Sequence, residues 1–186
     1  NRRIGIGQRR HARGEELVLG VGSHEARRSL AVEFDLVGAR QDVERLRQPW
    51  PKDATYELVE TSYFGFNIPE ENINCEIYHW VHPHLGVSTG GVFIFKGRKP
   101  FQIAADYADY REFMPMPVSI VNCTWPSGVR IDMIEPMRRF RIEYTDKLRD
   151  TWFEVEYLAI MPLAVRPDGH HFTQAMRTKG RLVLRG

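Results

Sequence analysis

The stretch Arg139-Phe140-Arg141-Ile142-Glu143-Tyr144, and after it Phe153-Glu154-Val155-Glu156-Tyr157, alternates apolar and charged residues with a period of two. Successive side chains of an extended chain point to opposite faces, so Phe140, Ile142 and Tyr144 share one face and Arg139, Arg141 and Glu143 the other. Phe153, Val155 and Tyr157 repeat the pattern against Glu154 and Glu156. Both segments read as half-buried antiparallel strands.

Working outward, short runs rich in β-branched and aromatic residues occur at Tyr56–Ile68, Asn72–Val81, Val87–Phe95, Phe101–Ala105, Val118–Trp125, Val129–Ile134, Trp152–Met161 and Arg181–Leu184. With Arg139–Tyr144 they predict about nine strands. Between them stand turn formers: Asn67–Pro69, Pro83–Gly86, Gly90-Gly91, Lys96–Pro100, Pro126–Gly128, Asp146–Asp150 and Pro167-Asp168-Gly169. The spacing leaves no room for crossover helices, so the expected fold is mainly β: an antiparallel, meandering lipocalin-like barrel or a barrel-like sandwich, either of which hides strand edges. Two helical exceptions are predicted. Gln41–Gln48 reads as a short helix stopped by Pro49 and Pro51, and Asp106–Met114, with tyrosines three apart, reads as a helical turn across the barrel.

Residues 1–40 differ in character. They are rich in Arg, Gly and Glu, with two short apolar stretches at Leu17–Val21 and Leu30–Val37, and form an extension outside the β domain of 41–186. Either a native strand and linker or sequence upstream of a natural start fits that composition. At the other end, Arg181–Leu184 reads as a strand whose partner does not follow it, which predicts a truncated domain.

Charge narrows the function classes. Residues 1–40 hold eight Arg against five acids, leaving 18 basic and 19 acidic residues in the rest of the chain. A near-neutral body lacks the concentrated basic surface that phosphate contacts require, so no nucleic-acid partner is expected. No apolar run approaches the roughly 20 residues that span a bilayer, and no signal-peptide core precedes the domain, so no stable membrane insertion is expected and the cytoplasm is the default compartment. Cys75 and Cys123 stand in no metal-binding spacing and read as small buried apolar residues.

No P-loop, GxGxxG, GxSxG or HExxH motif is present, which removes several large enzyme classes. The most suggestive stretch is Glu76-Ile77-Tyr78-His79-Trp80-Val81-His82-Pro83-His84. Strand alternation puts Glu76, Tyr78, Trp80 and His82 on one face. A carboxylate and an imidazole there could exchange protons while Tyr78 and Trp80 hold an apolar ligand; the rival reading is a face turned to solvent or an interface with amphipathic aromatics. His79 points away from His82, and Pro83 bends the chain before His84, so no metal site is expected. Trp152 adds an aromatic contact on a face shared with Glu154 and Glu156. His171 and Gln174, just past the Pro167-Asp168-Gly169 turn, are placed to rim a barrel mouth. Arg138, Arg139 and Arg141, with Lys147 and Arg149, are offset by Glu135, Glu143, Asp146 and Asp150 and read as a salt-bridged surface.

Three segments, Glu76–Pro83, Gly90-Gly91-Val92 and Arg166–Gln174 with Gly180–Gly186, resemble the first half of the lipocalin-like hydroxyneurosporene synthase and AttH type of the carotenoid hydratase superfamily. The resemblance spans about residues 41–186. It implies two tandem β domains with the C-terminal partner missing here, a hydrophobic small-molecule ligand, and hydration or isomerisation without a bound cofactor. Of this chain's own residues, the resemblance implicates only the aromatic and acidic strand around Glu76 and His82. A non-catalytic lipid or metabolite carrier, and a structural domain with a filled core, are the rival expectations.

Overall fold

The computed structural model describes residues 15–18, 50–167 and 171–184. The strands are β1 (Glu15–Val18), β2 (Glu60–Ile68), β3 (Ile73–His82), β4 (Val87–Lys96), β5 (Tyr107–Pro115), β6 (Cys123–Thr124), β7 (Val129–Glu135), β8 (Arg139–Asp146), β9 (Thr151–Ala159), β10 (Ala164–Val165), β11 (Phe172–Thr173) and β12 (Met176–Leu184). They form a four-stranded sheet in the order β2-β3-β4-β5, a six-stranded sheet in the order β1-β12-β9-β8-β7-β6, and the small ribbon β10-β11, all antiparallel. No pairing among the described residues joins the two large sheets into a closed barrel.

The first two hairpins use one turn twice. Pro69 and Pro83 each start a single 3₁₀ turn, and Asn72 and Gly86 end it in the left-handed region at φ 54° and 67°. Proline presets the first dihedral and the left-handed residue reverses the chain, so β3 leaves β2, and β4 leaves β3, in tight register.

Alternation sets the core. Phe140, Ile142 and Tyr144 of β8 and Phe153, Val155 and Tyr157 of β9 are buried, as are Cys75, Ile77, His79 and Val81 of β3. Both sheets contribute to this one apolar cluster. Phe64 of β2 packs edge-on against Phe140 of β8, ring centres 5.4 Å apart, while Tyr107 of β5 meets Tyr144 further along the same strand. Strands β2 and β5 are opposite edges of their sheet, roughly 14 Å apart at ordinary strand spacing, and four residues of β8 cover about the same distance. Strand β8 therefore runs across the four-stranded sheet, and the two layers pack crosswise.

A polar chain ties the layers at the β5 edge. Tyr144 donates to Asp109 at 2.7 Å, Tyr107 donates to Asp146 at 2.8 Å, and the two hydroxyls lie 2.5 Å apart. Arg111 grips Asp109 through two nitrogens at 3.1 and 3.0 Å, and Arg149 donates to Asp146 while its guanidinium lies 4.3 Å from the Tyr107 ring centre. Burial pushes the Asp146 carboxyl upward, but hydrogen bonds from Tyr107, Arg149 and the turn backbone outweigh it and leave the group below its ordinary value.

Several expectations change. Gly90-Gly91, expected as a turn, lies inside β4, and only Cys123–Thr124 of the strand expected at Val118–Trp125 is extended. The segment Phe101–Ala105 forms a 3₁₀ turn at Gln102–Ala104 instead of a strand, with Ile103 exposed. The helical turn expected at Asp106–Met114 is strand β5, with Tyr107 and Asp109 buried and Tyr110 on the opposite face. Asp109 can sit inside because Tyr144 and Arg111 satisfy its oxygens. Strand β1, from the stretch expected to lie outside the β domain, pairs Glu15 with Leu184 of β12. Strand β12 is longer than expected, starting at Met176. The helix expected at Gln41–Gln48 lies outside the described residues. Among the described residues no helix is long and apolar enough to cross a membrane.

The salt-bridged surface is present in part: on the outer face of the six-stranded sheet Arg139 and Arg141 reach Glu156 at 2.9 and 3.1 Å, whereas Asp146 is buried and joins Arg149 in the inner polar chain. The Arg139 and Arg141 hydrogen bonds hold the Glu156 carboxyl below its ordinary value. All three side chains are more than a third exposed, so solvent screens the pairs. Glu156→Gln is expected to change the folding free energy by less than about 1 kcal/mol in urea titrations; a loss several times larger would show these pairs acting as a cooperative buried unit.

Candidate functional site

Crosswise layers diverge where β2 leaves the start of β8, and a cleft of about 720 Å³ opens there. Its lining is mixed: apolar at Phe64 from β2, Ile120 and Val121 from the segment before β6, Met137 from the β7–β8 turn and Phe140 from β8, and polar at Glu60, Thr61, Ser62, Asn67 and Asn74 along β2 and β3. Phe64 makes the floor, its ring 5.4 Å from both Phe140 and Tyr157. Met176 at the head of β12 and Phe172, Thr173 and Gln174 at the β10-β11 ribbon close the far side. The cleft also reaches over edge strand β2 to Tyr63 and Tyr78 on the sheet's outer face.

Two polar atoms along this wall lack partners. The Tyr157 hydroxyl is buried with no hydrogen-bond partner, as is Gln174 Oε1, whose amide nitrogen donates to the Met161 carbonyl at 3.0 Å. Leaving such a group unpaired costs about 1–3 kcal/mol, so it marks either stored strain or a place where something else binds. Burial drives the Tyr157 phenol well above its ordinary pKa, reinforced by neighbouring Cys75 and Tyr63, so it stays protonated and can donate. The side chain projects inward from the last third of β9 and packs edge-on against the Phe64 ring.

The residues singled out from the sequence fall in three places. His171 and Gln174 line the cleft, and Tyr78 reaches it over the edge strand. Glu76, Tyr78 and Trp80 stand on the outer face of the four-stranded sheet, away from the buried row of Cys75, Ile77, His79 and Val81. Tyr78 and Trp80 there line a shallow apolar hollow of about 380 Å³ with Phe93 and Tyr110, beneath the Gln102 turn, and Gln102 donates to Glu76 at 3.3 Å. His82 ends β3 on that same face, half-buried, outside both hollows. Trp152 lies on the outer face of the six-stranded sheet, so the structure does not bring it to Tyr78 and Trp80. The Phe64 floor and the Tyr157 hydroxyl were not singled out. Alternation shows that Tyr157 points inward, but whether an inward hydroxyl finds a partner depends on the opposite sheet.

One further pair invites a nucleophilic reading. His79 Nε2 lies 2.9 Å from Ser127 Oγ, an arrangement in which a base could activate a hydroxyl. Both side chains are fully buried in the core, and the imidazole stacks on Trp125 at 4.1 Å between ring centres, so no substrate reaches them. Burial alone lowers the His79 pKa to about 3. The pair is a packed internal hydrogen bond. Compared with known proteins, the chain matches no family model, no curated protein and no solved structure.

Proposed function

We propose that this protein binds a hydrophobic small molecule in the cleft between its two sheets, at the edge formed by β2. The observation that carries the reading is the cleft itself, about 720 Å³, lined by Phe64, Ile120, Val121, Met137 and Phe140 from both sheets and the segments between them. Apolar pockets with a few placed polar groups are the usual form of a small-molecule site, and about 720 Å³ suits a drug-sized or lipid-sized ligand. The resemblance to the lipocalin-like hydroxyneurosporene synthases points to the same class of ligand, held in a barrel-like enclosure. Binding is favoured over hydration. Adding water to a carbon–carbon double bond needs a strong acid, and a phenol whose pKa is pushed upward is a weaker one than usual. Glu76 and His82, the proton-exchanging pair of the hydration reading, do not line this cleft.

The test is saturable binding of a neutral apolar fluorophore, N-phenyl-1-naphthylamine, to the full chain and to Met176→Trp, which fills the cleft from its half-buried rim. One saturable site in the wild type, lost in Met176→Trp, is the expected result. Absence of saturable binding, or binding that Met176→Trp leaves untouched, overturns the reading.

A further inference from the structure

The outer faces of the two large sheets differ in chemistry. On the six-stranded sheet that face is charged, with Arg139 and Arg141 set against Glu154 and Glu156, as suits a face turned to water. On the four-stranded sheet it is aromatic. Tyr63 of β2 packs edge-on against Tyr78 of β3, and Tyr78 against Trp80, at 5.5 and 5.2 Å between ring centres. Tyr110 of β5 lies 5.6 Å from Phe93 of β4. In the strand register Gly91 stands between Tyr78 and Tyr110, so no side chain divides the two groups of rings. A band of rings therefore crosses the sheet from one edge to the other, and Tyr63, Trp80 and Tyr110 are each more than a third exposed. Contiguous exposed aromatic surface on one face marks contact with another molecule.

We propose that this face binds a second copy of the chain, sheet against sheet about a twofold axis. Its relief is self-complementary. The hollow of about 380 Å³ between Trp80 and Tyr110 lies beside the Gln102–Ala104 turn, and Ile103 projects from that turn 95% exposed. A twofold axis between a projection and a hollow on one face sets Ile103 of each copy into the hollow of the other. Charge permits the same arrangement. Among the described residues no Lys, Arg, Asp or Glu lines the hollow, and Glu76 beside it already accepts from Gln102 at 3.3 Å, so the hollow meets its own image without like-charge repulsion. The area is sufficient. Four strands about 4.8 Å apart, with nine residues each at about 3.3 Å, give a flat footprint of roughly 570 Å² per copy, and two copies together pass the ~1,000 Å² that a specific interface needs.

Sedimentation velocity on the full chain tests this. The wild type is expected to pass from monomer to dimer across about 1–100 µM, the weak end of the range for an interface of this size. Ile103→Asp puts a carboxylate into the partner copy's aromatic hollow and is expected to weaken the dimer at least about thirtyfold, the scale of one interface hot spot. Because Ile103 is exposed, the urea midpoint of that variant is expected to match the wild type at concentrations where both are monomers. Trp80→Arg alters the hollow instead of the projection and is expected to weaken the dimer likewise. Leu158→Asp, on the outer face of the six-stranded sheet, is expected to leave it unchanged. A wild type that stays monomeric throughout, a dimer that survives Ile103→Asp or Trp80→Arg, or one that Leu158→Asp breaks equally, overturns the inference. Fluorophore binding in the cleft between the sheets is a separate readout, so the two readings stand or fall independently.

Discussion

Lowering the pH from 7 to 5 is expected to remove about 2 kcal/mol of folding stability through His79 alone, and about 3 kcal/mol by pH 4. The imidazole is fully buried between the layers, stacked on Trp125, and burial lowers its pKa from 6.5 to about 3. Among the described residues Nδ1 has no partner, and the single contact of Nε2 is the Ser127 hydroxyl, so no group compensates a positive charge there. The unfolded chain therefore takes up a proton near pH 6.5 while the folded chain does not until near pH 3. Stability is complete above the unfolded value and falls by roughly 1.4 kcal/mol per unit as the pH drops through the window between the two. Carboxylates held below their ordinary values, Asp146 and Glu156, add their own losses at lower pH, so the interval from 6.5 to 5 isolates the histidine. Urea titrations at pH 7, 6 and 5 on the wild type and on His79→Gln check this. The variant is expected to be less stable at pH 7 but to show a flatter pH dependence across that interval. An unchanged slope in His79→Gln would place the titration elsewhere.

The same histidine shows how far the sequence could be read. Alternation along Cys75–His82 separates His79 from Glu76, Tyr78, Trp80 and His82, and the structure keeps that separation, with His79 buried and the others on the outer face. Period-two patterning likewise locates β7, β8 and β9 to within a residue or two, because their inward rows are apolar over Val129–Met133, Phe140–Tyr144 and Phe153–Tyr157, with Asp146 and Thr151 inside only at the ends. Strand β5 escapes the pattern because its inward row contains Asp109, buried only through Tyr144 and Arg111, and because Phe113 sits at φ 53° and breaks the alternation. Ile103 misleads in the opposite direction, since an apolar residue beside Phe101 reads as strand although nothing packs over it. The crosswise packing that opens the cleft has no sequence signature. It arises from which strand of one sheet crosses which residue of the other, so His171 and Gln174 could be placed near a mouth while the floor at Phe64 and the hydroxyl of Tyr157 could not.

Asp109→Ala is expected to cost about 3 kcal/mol, far more than the loss of any surface ion pair in this protein. Asp109 is buried and receives Tyr144 and both arms of Arg111, with Arg149 3.6 Å away. Removing the carboxylate strands the Tyr144 hydroxyl inside and leaves two guanidinium groups facing each other without the charge that separates them. Arg111 is half exposed, which lets water recover part of the loss and holds the figure near the lower end for a broken buried pair. Asp109→Asn keeps an acceptor for Tyr144 and drops only the charge, so it is expected to cost clearly less. The hydroxyls themselves act together. Tyr107 and Tyr144 lie 2.5 Å apart and each ends on an aspartate, so deleting one alters the bond the other makes. In a double-mutant cycle, Tyr107→Phe and Tyr144→Phe are expected to be non-additive by at least about 0.5 kcal/mol, the signature of residues sharing one network. Additive losses would mean that Tyr107–Asp146 and Tyr144–Asp109, each of which already crosses from one sheet to the other, act as two independent links between the layers.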